Sequence, residues 1–266
     1  YLDRFVLEEW VARRIDSPHV VKAWPGDRPR DHLFVAMEFI EGQTLAQWRV
    51  DNPQPGLDSV RGLVAQIAQG LQALHRREML HQDLRPENVM IDPQGTVKLI
   101  DLASAHVEGL AETHRDALTT AVPGSLQYTA PEVLLGEAGS PRSELFALAT
   151  LSYQLLTGQL PYGLDATRVR SPDDLRRLRY VPARHHRPDL PAWVDAVLAK
   201  ALHPSPARRQ EVISEFIQDL KAPGSEFTRH HNTPLIERNP VMFWKATTAL
   251  LGLAVIALLA LRILAR

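Results

Sequence analysis

Apolar residues along the chain fall into two rhythms. Leu7, Trp10, Val11 and Ile15 lie roughly on one face at a spacing of three to four, which predicts a helix over 5–15. SPHVV (17–21) ends that helix and starts an extended segment. HLFVAMEFI (32–40), apolar on both faces in its centre, predicts a strand. After Gly42 the pattern predicts a short helix near 45–50, and DNPQPG (51–56) predicts a loop. A long helix is predicted from Asp58 or Ser59, either able to cap it, to His75. Its stripe is Val60, Leu63, Val64, Ile67, Leu71 and Leu74. VMI (89–91), DPQG (92–95) and TVKLI (96–100) predict strand, turn and strand, a β-hairpin. From Ser143 onward the rhythm is helical, at 145–156, 193–202 and 211–220. A small, partly β portion thus precedes a mainly helical one, an α+β chain without internal repeats.

The last 46 positions change character. Residues 221–240 mix Pro, Gly, Ser, Asn and charges without periodicity and read as a linker. Residues 246–261 contain no charge. A helix needs about 20 apolar residues to cross a hydrocarbon core of about 30 Å, and 243–264 is long enough. Lys245 and Arg262 lie near the two ends, where long side chains reach the headgroups, and Trp244 suits the interface. The expectation is one C-terminal transmembrane helix within 241–266, in contact with membrane lipid. A buried core helix fits less well, because the stretch has no polar face.

Composition narrows the classes. The chain has 266 residues, 45% hydrophobic and 23% charged, with a net charge of −1. That balance argues against a nucleic-acid partner, which calls for a basic excess. With no cysteine, disulfides, zinc-thiolate sites and thiol catalysis are excluded. The first residue is Tyr1 rather than Met, so the expectation is part of a longer chain.

The densest run of chemically capable residues is HQDLRPENVMIDPQGTVKLID, 81–101. Asn88 immediately precedes the first hairpin strand, and Asp101 immediately follows the second. Antiparallel strands return the chain to its start, where opposed positions lie about 4.5–5.5 Å apart. An amide oxygen and a carboxylate at that separation could share a hard cation such as magnesium. Asp83 sits just upstream, placed to accept a proton, and Arg85 supplies positive charge between them. This set suggests phosphoryl transfer, in which positioning and charge neutralisation supply most of the catalysis. A lone Asp or Asn is more often a turn former; the joint spacing is what lifts this cluster. His81 reads as a structural hydrogen-bonding residue.

These motifs resemble the eukaryotic-like protein kinases, specifically bacterial serine/threonine kinases. HQDLRPEN is similar to the catalytic loop HRDLKPEN, DLA (101–103) to the DFG motif, and GSLQYTAPE (124–132) to the end of an activation segment. The resemblance covers roughly residues 1–220. It implies an α+β, two-lobe kinase fold: a partial N-lobe at 1–40, a C-lobe at 41–220, a linker at 221–240 and an anchor at 241–266. It implies ATP and Mg as cofactors and Ser/Thr-bearing proteins as substrates. Asp83 would orient the substrate hydroxyl, Arg85 would assist transfer, and Asn88 and Asp101 would bind magnesium. Toward the nucleotide it implies Glu8 as the helix-C glutamate, Met37 as gatekeeper, Glu38 and Ile40 as hinge groups, Met90 as floor, and Glu87. Glu132 would pair structurally with Arg209.

The chain departs from the family in ways that set further expectations. The glycine-rich loop and ATP-anchoring lysine should precede Glu8, so this segment alone should bind ATP poorly. Gln82 replaces the Arg that meets an activation-loop phosphate, so activity should not require phosphorylation at Thr113, Thr119 or Thr120. Arg85 replaces Lys, Ala103 replaces the DFG glycine, and Glu144 stands where the family's helical-lobe Asp anchors the catalytic loop. The leading reading is a membrane-anchored serine/threonine kinase with its catalytic portion in the cytoplasm. GSLQYTAPE and the anchor also look like bacterial chains in which a kinase follows a metal-dependent phosphatase domain. The alternatives are a pseudokinase acting as a membrane-tethered binding module and a small-molecule kinase. The peptide-docking segment argues against the latter.

Overall fold

The first apolar stripe forms α1 (Leu2–Arg14), with Val11 and Ile15 buried and Leu7 and Trp10 packed against the core. The structure is a computed structural model describing residues 2–24, 32, 34–108, 125–223, 245 and 248. After α1 the chain extends. Val20 bridges Leu99 in parallel, and Leu99 N–H donates to the His19 carbonyl at 2.9 Å. Among the described residues of the predicted 32–40 strand, only an isolated antiparallel bridge is seen: Met37 bridges Ala23, with Trp24 N–H donating to Ala36 and Glu38 N–H to Lys22. Apolar content alone does not make a strand; a ladder needs a partner along its length, and Phe39 is 92% exposed.

β1 (Gln43–Thr44) leads directly into α2 (Leu45–Asp51), capped by Thr44, whose hydroxyl accepts the Gln47 N–H at 3.2 Å. The long helix α3 (Leu57–His75) buries the expected stripe. Its N-cap is Gly56, however, which places Asp58 and Ser59 inside the first turn. Asp58 still complements the helix dipole there, and it pairs with Arg61 at 2.9 Å. α3 crosses close to the hairpin at Gly70, where a Cβ would stand 2.7 Å from the His19 carbonyl and 2.9 Å from a Leu99 methyl. Any larger residue would push the hairpin away from α3.

The expected hairpin is present: β3 (Val89–Ile91) pairs with β4 (Val97–Leu99), with Val89 opposite Leu99, Met90 opposite Lys98 and Ile91 opposite Val97. Asp92 closes its turn by accepting the Gln94 and Thr96 N–H groups, and Gly95 takes φ 83°. β1 pairs with β3, giving the order β1-β3-β4. A second, two-stranded sheet joins β2 (Met79–Leu80) to β5 (His106–Val107), which the sequence pattern did not announce.

The helical portion is built around α5 (Pro141–Thr157), buried from Ser143 through Leu156. Ser140 and Ser143 form a reciprocal capping box at its start, and Gly158 ends it at φ 72°. Against α5 pack α3, α7 (Ala183–His186), α8 (Ala192–Ala201) and α9 (Ile213–Lys221), the last starting two residues later than expected. Two short helices, α4 (Pro131–Leu134) and α6 (Pro172–Arg177), lie between these elements in sequence. Glu132 of α4 meets Arg209 in a fork-to-fork pair, both contacts 2.7 Å, with side-chain exposures of 5% and 0%. Arg209 spends its other donors on the carbonyls of Arg142, His203 and Pro204, and its guanidinium lies over the Phe146 ring.

The chain divides into two units, Tyr1–Ala222 and Pro223–Arg266, and these elements belong to the first. The expected membrane segment at 241–266 lies outside the described residues except for Lys245 and Thr248, as do Thr113, Thr119 and Thr120. Among the described residues no helix is long and apolar enough to cross a membrane.

Removing one partner of the Glu132–Arg209 pair strands a buried charge. Arg209→Met is expected to lower the unfolding free energy by about 3–5 kcal/mol. Glu132→Gln combined with Arg209→Met should lose less than the two single variants together. Urea unfolding of the four proteins checks this; additive losses would contradict it.

Candidate active site

The loop between β2 and β3 is fixed by one side chain of α5. Glu144, 4% exposed, accepts the backbone N–H of His81 at 2.5 Å and of Gln82 at 2.9 Å through Oε1. Its Oε2 meets His75 Nε2, at the end of α3, at 2.5 Å. Gln82 is held at φ 61°, a left-handed conformation costly for a residue with a side chain. His81 is fully buried, its Nε2 3.1 Å from the Ile100 carbonyl and its Nδ1 accepting the Asp83 N–H at 3.3 Å. The loop is thereby tied both to the helical body and to the end of β4.

Asn88 sits in the short 3₁₀ turn Pro86–Asn88 and is buried. Its amide Nδ2 donates to both the Asp83 carbonyl and Asp83 Oδ2, each at 2.8 Å. Ile100 N–H donates to the Asn88 carbonyl at 3.0 Å, which continues the hairpin ladder and brings Asp101 to the same end as Asn88. Asp101 has φ 60° and caps the turn Leu102–Ser104, leaving its carboxylate largely to solvent. Arg85 Nε donates to Glu87 Oε2 at 2.7 Å. α1 packs on the Leu102–Ser104 turn and carries Glu8 to it. Burial pushes the Glu8 carboxyl up and the nearby Asp101 charge adds to the rise, while the Leu102 N–H opposes it.

Burial also raises the Asp83 carboxyl, opposed by His81, the Asn88 amide and Arg85, with Asp101 adding a smaller rise. Asp83 is thus a carboxylate with proton affinity above the ordinary, clamped so that one oxygen faces Asn88. The donor chemistry fits magnesium. Asn88 keeps its amide oxygen and Asp101 offers a carboxylate, both hard oxygen donors. Magnesium favours such sparse oxygen sites, completing its shell with water and phosphate.

A second group lies along the 34–40 segment. Met37 and Ile40 are partly buried against the core. Glu38 accepts the Lys22 N–H at 2.9 Å through Oε1 and meets Lys98 Nζ at 2.6 Å through Oε2. Met90, opposite Lys98, is half-buried on the face of the hairpin away from Val89 and Ile91.

A family model for the protein kinase domain matches residues 3–220. The chain belongs to the protein kinase family. Among its relatives are serine/threonine-protein kinase PrkC of Bacillus subtilis, 27% identical over 225 residues, and PknB of Mycolicibacterium smegmatis, 30% over 223. Serine/threonine-protein kinase pkn3 of Myxococcus xanthus is 30% identical over 245 residues. These matches take in 83%, 82% and 87% of this chain but 34%, 35% and 44% of the relatives. The chain spans about a third of the length of the first two. Membership carries the expected kinase-like mixture of helix and sheet.

Within this kinase domain the structure brings Asp83, Arg85, Asn88 and Asp101 to one end of the hairpin, with Glu8 beside Asp101. It sets Met37, Glu38 and Ile40 along the extended segment whose Glu38 joins the hairpin at Lys98. Glu87 is half-exposed and engaged with Arg85. Sequence reading missed His75 and Lys98. The hairpin register, which places Lys98 opposite Met90, was the available signal for the second.

The raised Asp83 carboxyl gives a stability test. The folded chain holds the proton more tightly than the unfolded chain, so ionising Asp83 opposes folding. That cost is absent below the unfolded value of about 3.9 and develops as pH rises through the raised folded value. Asp83→Asn keeps the acceptor for Asn88 and removes the charge. It is expected to raise the melting temperature at about pH 7, with the gain fading toward about pH 4. Melting followed by circular dichroism at both pH values checks this; no gain at the higher pH would contradict it.

Proposed function

We propose that this domain transfers the ATP γ-phosphate to Ser and Thr hydroxyls of proteins. The observation that carries the reading is the Asn88 clamp on Asp83, one hairpin ladder step from Asp101. Asp83 would take the hydroxyl proton as the new O–P bond forms and the bond to the β-phosphate oxygen breaks, with ADP leaving. Arg85 would offset negative charge beside Asp83. Magnesium, held by Asn88 and Asp101, would neutralise charge on the phosphates when bound. Glu8, Met37, Glu38, Ile40, Glu87 and Met90 are proposed on the nucleotide side. Names of the relatives support Ser/Thr rather than Tyr.

The proposed organisation is a partial N-lobe at 1–40, a C-lobe at 41–220 and a linker leading to a membrane anchor at 241–266. ATP is cytoplasmic, so the kinase portion is placed there. The binding-module alternative draws on Gln82, Ala103 and Glu144, yet the acceptor positions of Asp83, Asn88 and Asp101 are intact around them, which favours the enzyme.

In the full-length protein, Asp83→Asn is expected to lower phosphotransfer by about a hundredfold or more while leaving the protein folded. Activity near wild type would overturn the proposal. For the anchor, protease added to intact spheroplasts should leave the kinase portion uncut; its digestion would contradict the cytoplasmic placement.

A further inference from the structure

Among the described residues, the backbone from Ala36 to Glu38 is held to the 22–24 strip by a short stretch of pairing. Two bonds make that pairing, Trp24 N–H to Ala36 and Glu38 N–H to Lys22, and no further backbone bond is made by residues 39–41 among the described residues. The Glu38 side chain supplies what the ladder lacks. One oxygen takes the Lys22 N–H, and the other meets Lys98 Nζ at 2.6 Å. Lys22 directs its own ammonium to Asp16 at 2.9 Å, with the Glu38 charge a smaller influence on it.

Lys98 occupies a telling position. Its strand neighbours Val97 and Leu99 are fully buried, so by alternation Lys98 faces the opposite side of the hairpin. Met90, directly across the ladder, faces that same side. Lys98 and Glu38 are only 18% and 28% exposed, which makes their contact stronger than a solvated surface pair. The pair therefore draws the 37–40 backbone to the face of the hairpin that presents Met90.

We propose that Lys98 is a positioning residue of the nucleotide site, holding the adenine-facing 37–40 backbone against the Met90 face through Glu38. The proposal rests on the ATP-binding reading above. Lys98 touches no phosphate and accepts no proton; it sets the width of the slot for the adenine ring. Losing it should weaken adenine binding more than it slows the transfer step, which depends on Asp83, Asn88 and Asp101.

Lys98→Met keeps the alkyl stem and removes the ammonium. In the full-length protein, KM for ATP is expected to rise about tenfold, the size of one charge-assisted hydrogen bond. kcat should stay within about twofold, since uniform binding rather than transition-state contact is lost. Adenosine, which has no phosphates, should lose affinity by the same factor in calorimetric titration. Lys98→Arg should restore most of both. Unchanged KM and adenosine affinity in a folded Lys98→Met protein would overturn the proposal. So would a fall in melting temperature with kcat lost instead of KM, which would mark Lys98 as merely structural. A wild-type protein that transfers no phosphate would overturn the proposed function, and adenosine titration would still decide the role of Lys98. A wild type that binds no adenosine would overturn both.

Discussion

A buried carboxylate ties the loop between β2 and β3 to the helical body. Glu144 rises from the first turn of α5, where the helix dipole favours negative charge, and satisfies two backbone N–H groups of the loop and the His75 ring. Without it, those two donors would be buried near the helical body with no acceptor, and the left-handed Gln82 would lose what holds its strain. The resemblance to kinases leads one to expect Asp at this position. Glu is a methylene longer, and here its two oxygens serve the loop and α3 at once. The next residue after Gln82 is Asp83, so the anchor acts one peptide from the proposed base.

From that anchor the site is assembled by successive ties. His81 reaches the end of β4, Asn88 clamps Asp83, and the Ile100–Asn88 bond sets Asp101 at the same end. The hairpin thus has two working features. Its open end gathers the oxygen donors, and its outer face, with Met90 and Lys98, meets the 34–40 segment through Glu38. Burial of Asp83 raises its proton affinity at a cost to stability, the pattern expected where an acidic group is shaped for proton transfer rather than for folding.

Legibility in the sequence followed locality. The hairpin could be read because a turn with Asp92 and Gly95 separates two short runs that pair with each other across it. The long helix could be read because its stripe runs without a break from Val60 to Leu74. The 32–40 strand could not, since its pairing depends on the preceding extended segment and amounts, among the described residues, to a single bridge. The α3 cap was misplaced because Gly56 needs no side-chain bond to start a helix. The Asp83, Asn88 and Asp101 grouping was visible from spacing. Glu144 was visible only as a departure, because a carboxylate sixty residues downstream shows nothing of its three partners. The Lys98–Glu38 contact joins residues sixty positions apart, and nothing local in the sequence marks it.

The most direct test of this account is amide hydrogen exchange at His81 and Gln82 in wild type and in Glu144→Ala. The account predicts that protection at these two amides falls by about tenfold or more in the variant, while the Leu99 and Ile100 amides of the hairpin keep theirs. Unchanged protection at His81 and Gln82 would show that the loop is held by something other than Glu144 and would contradict the account.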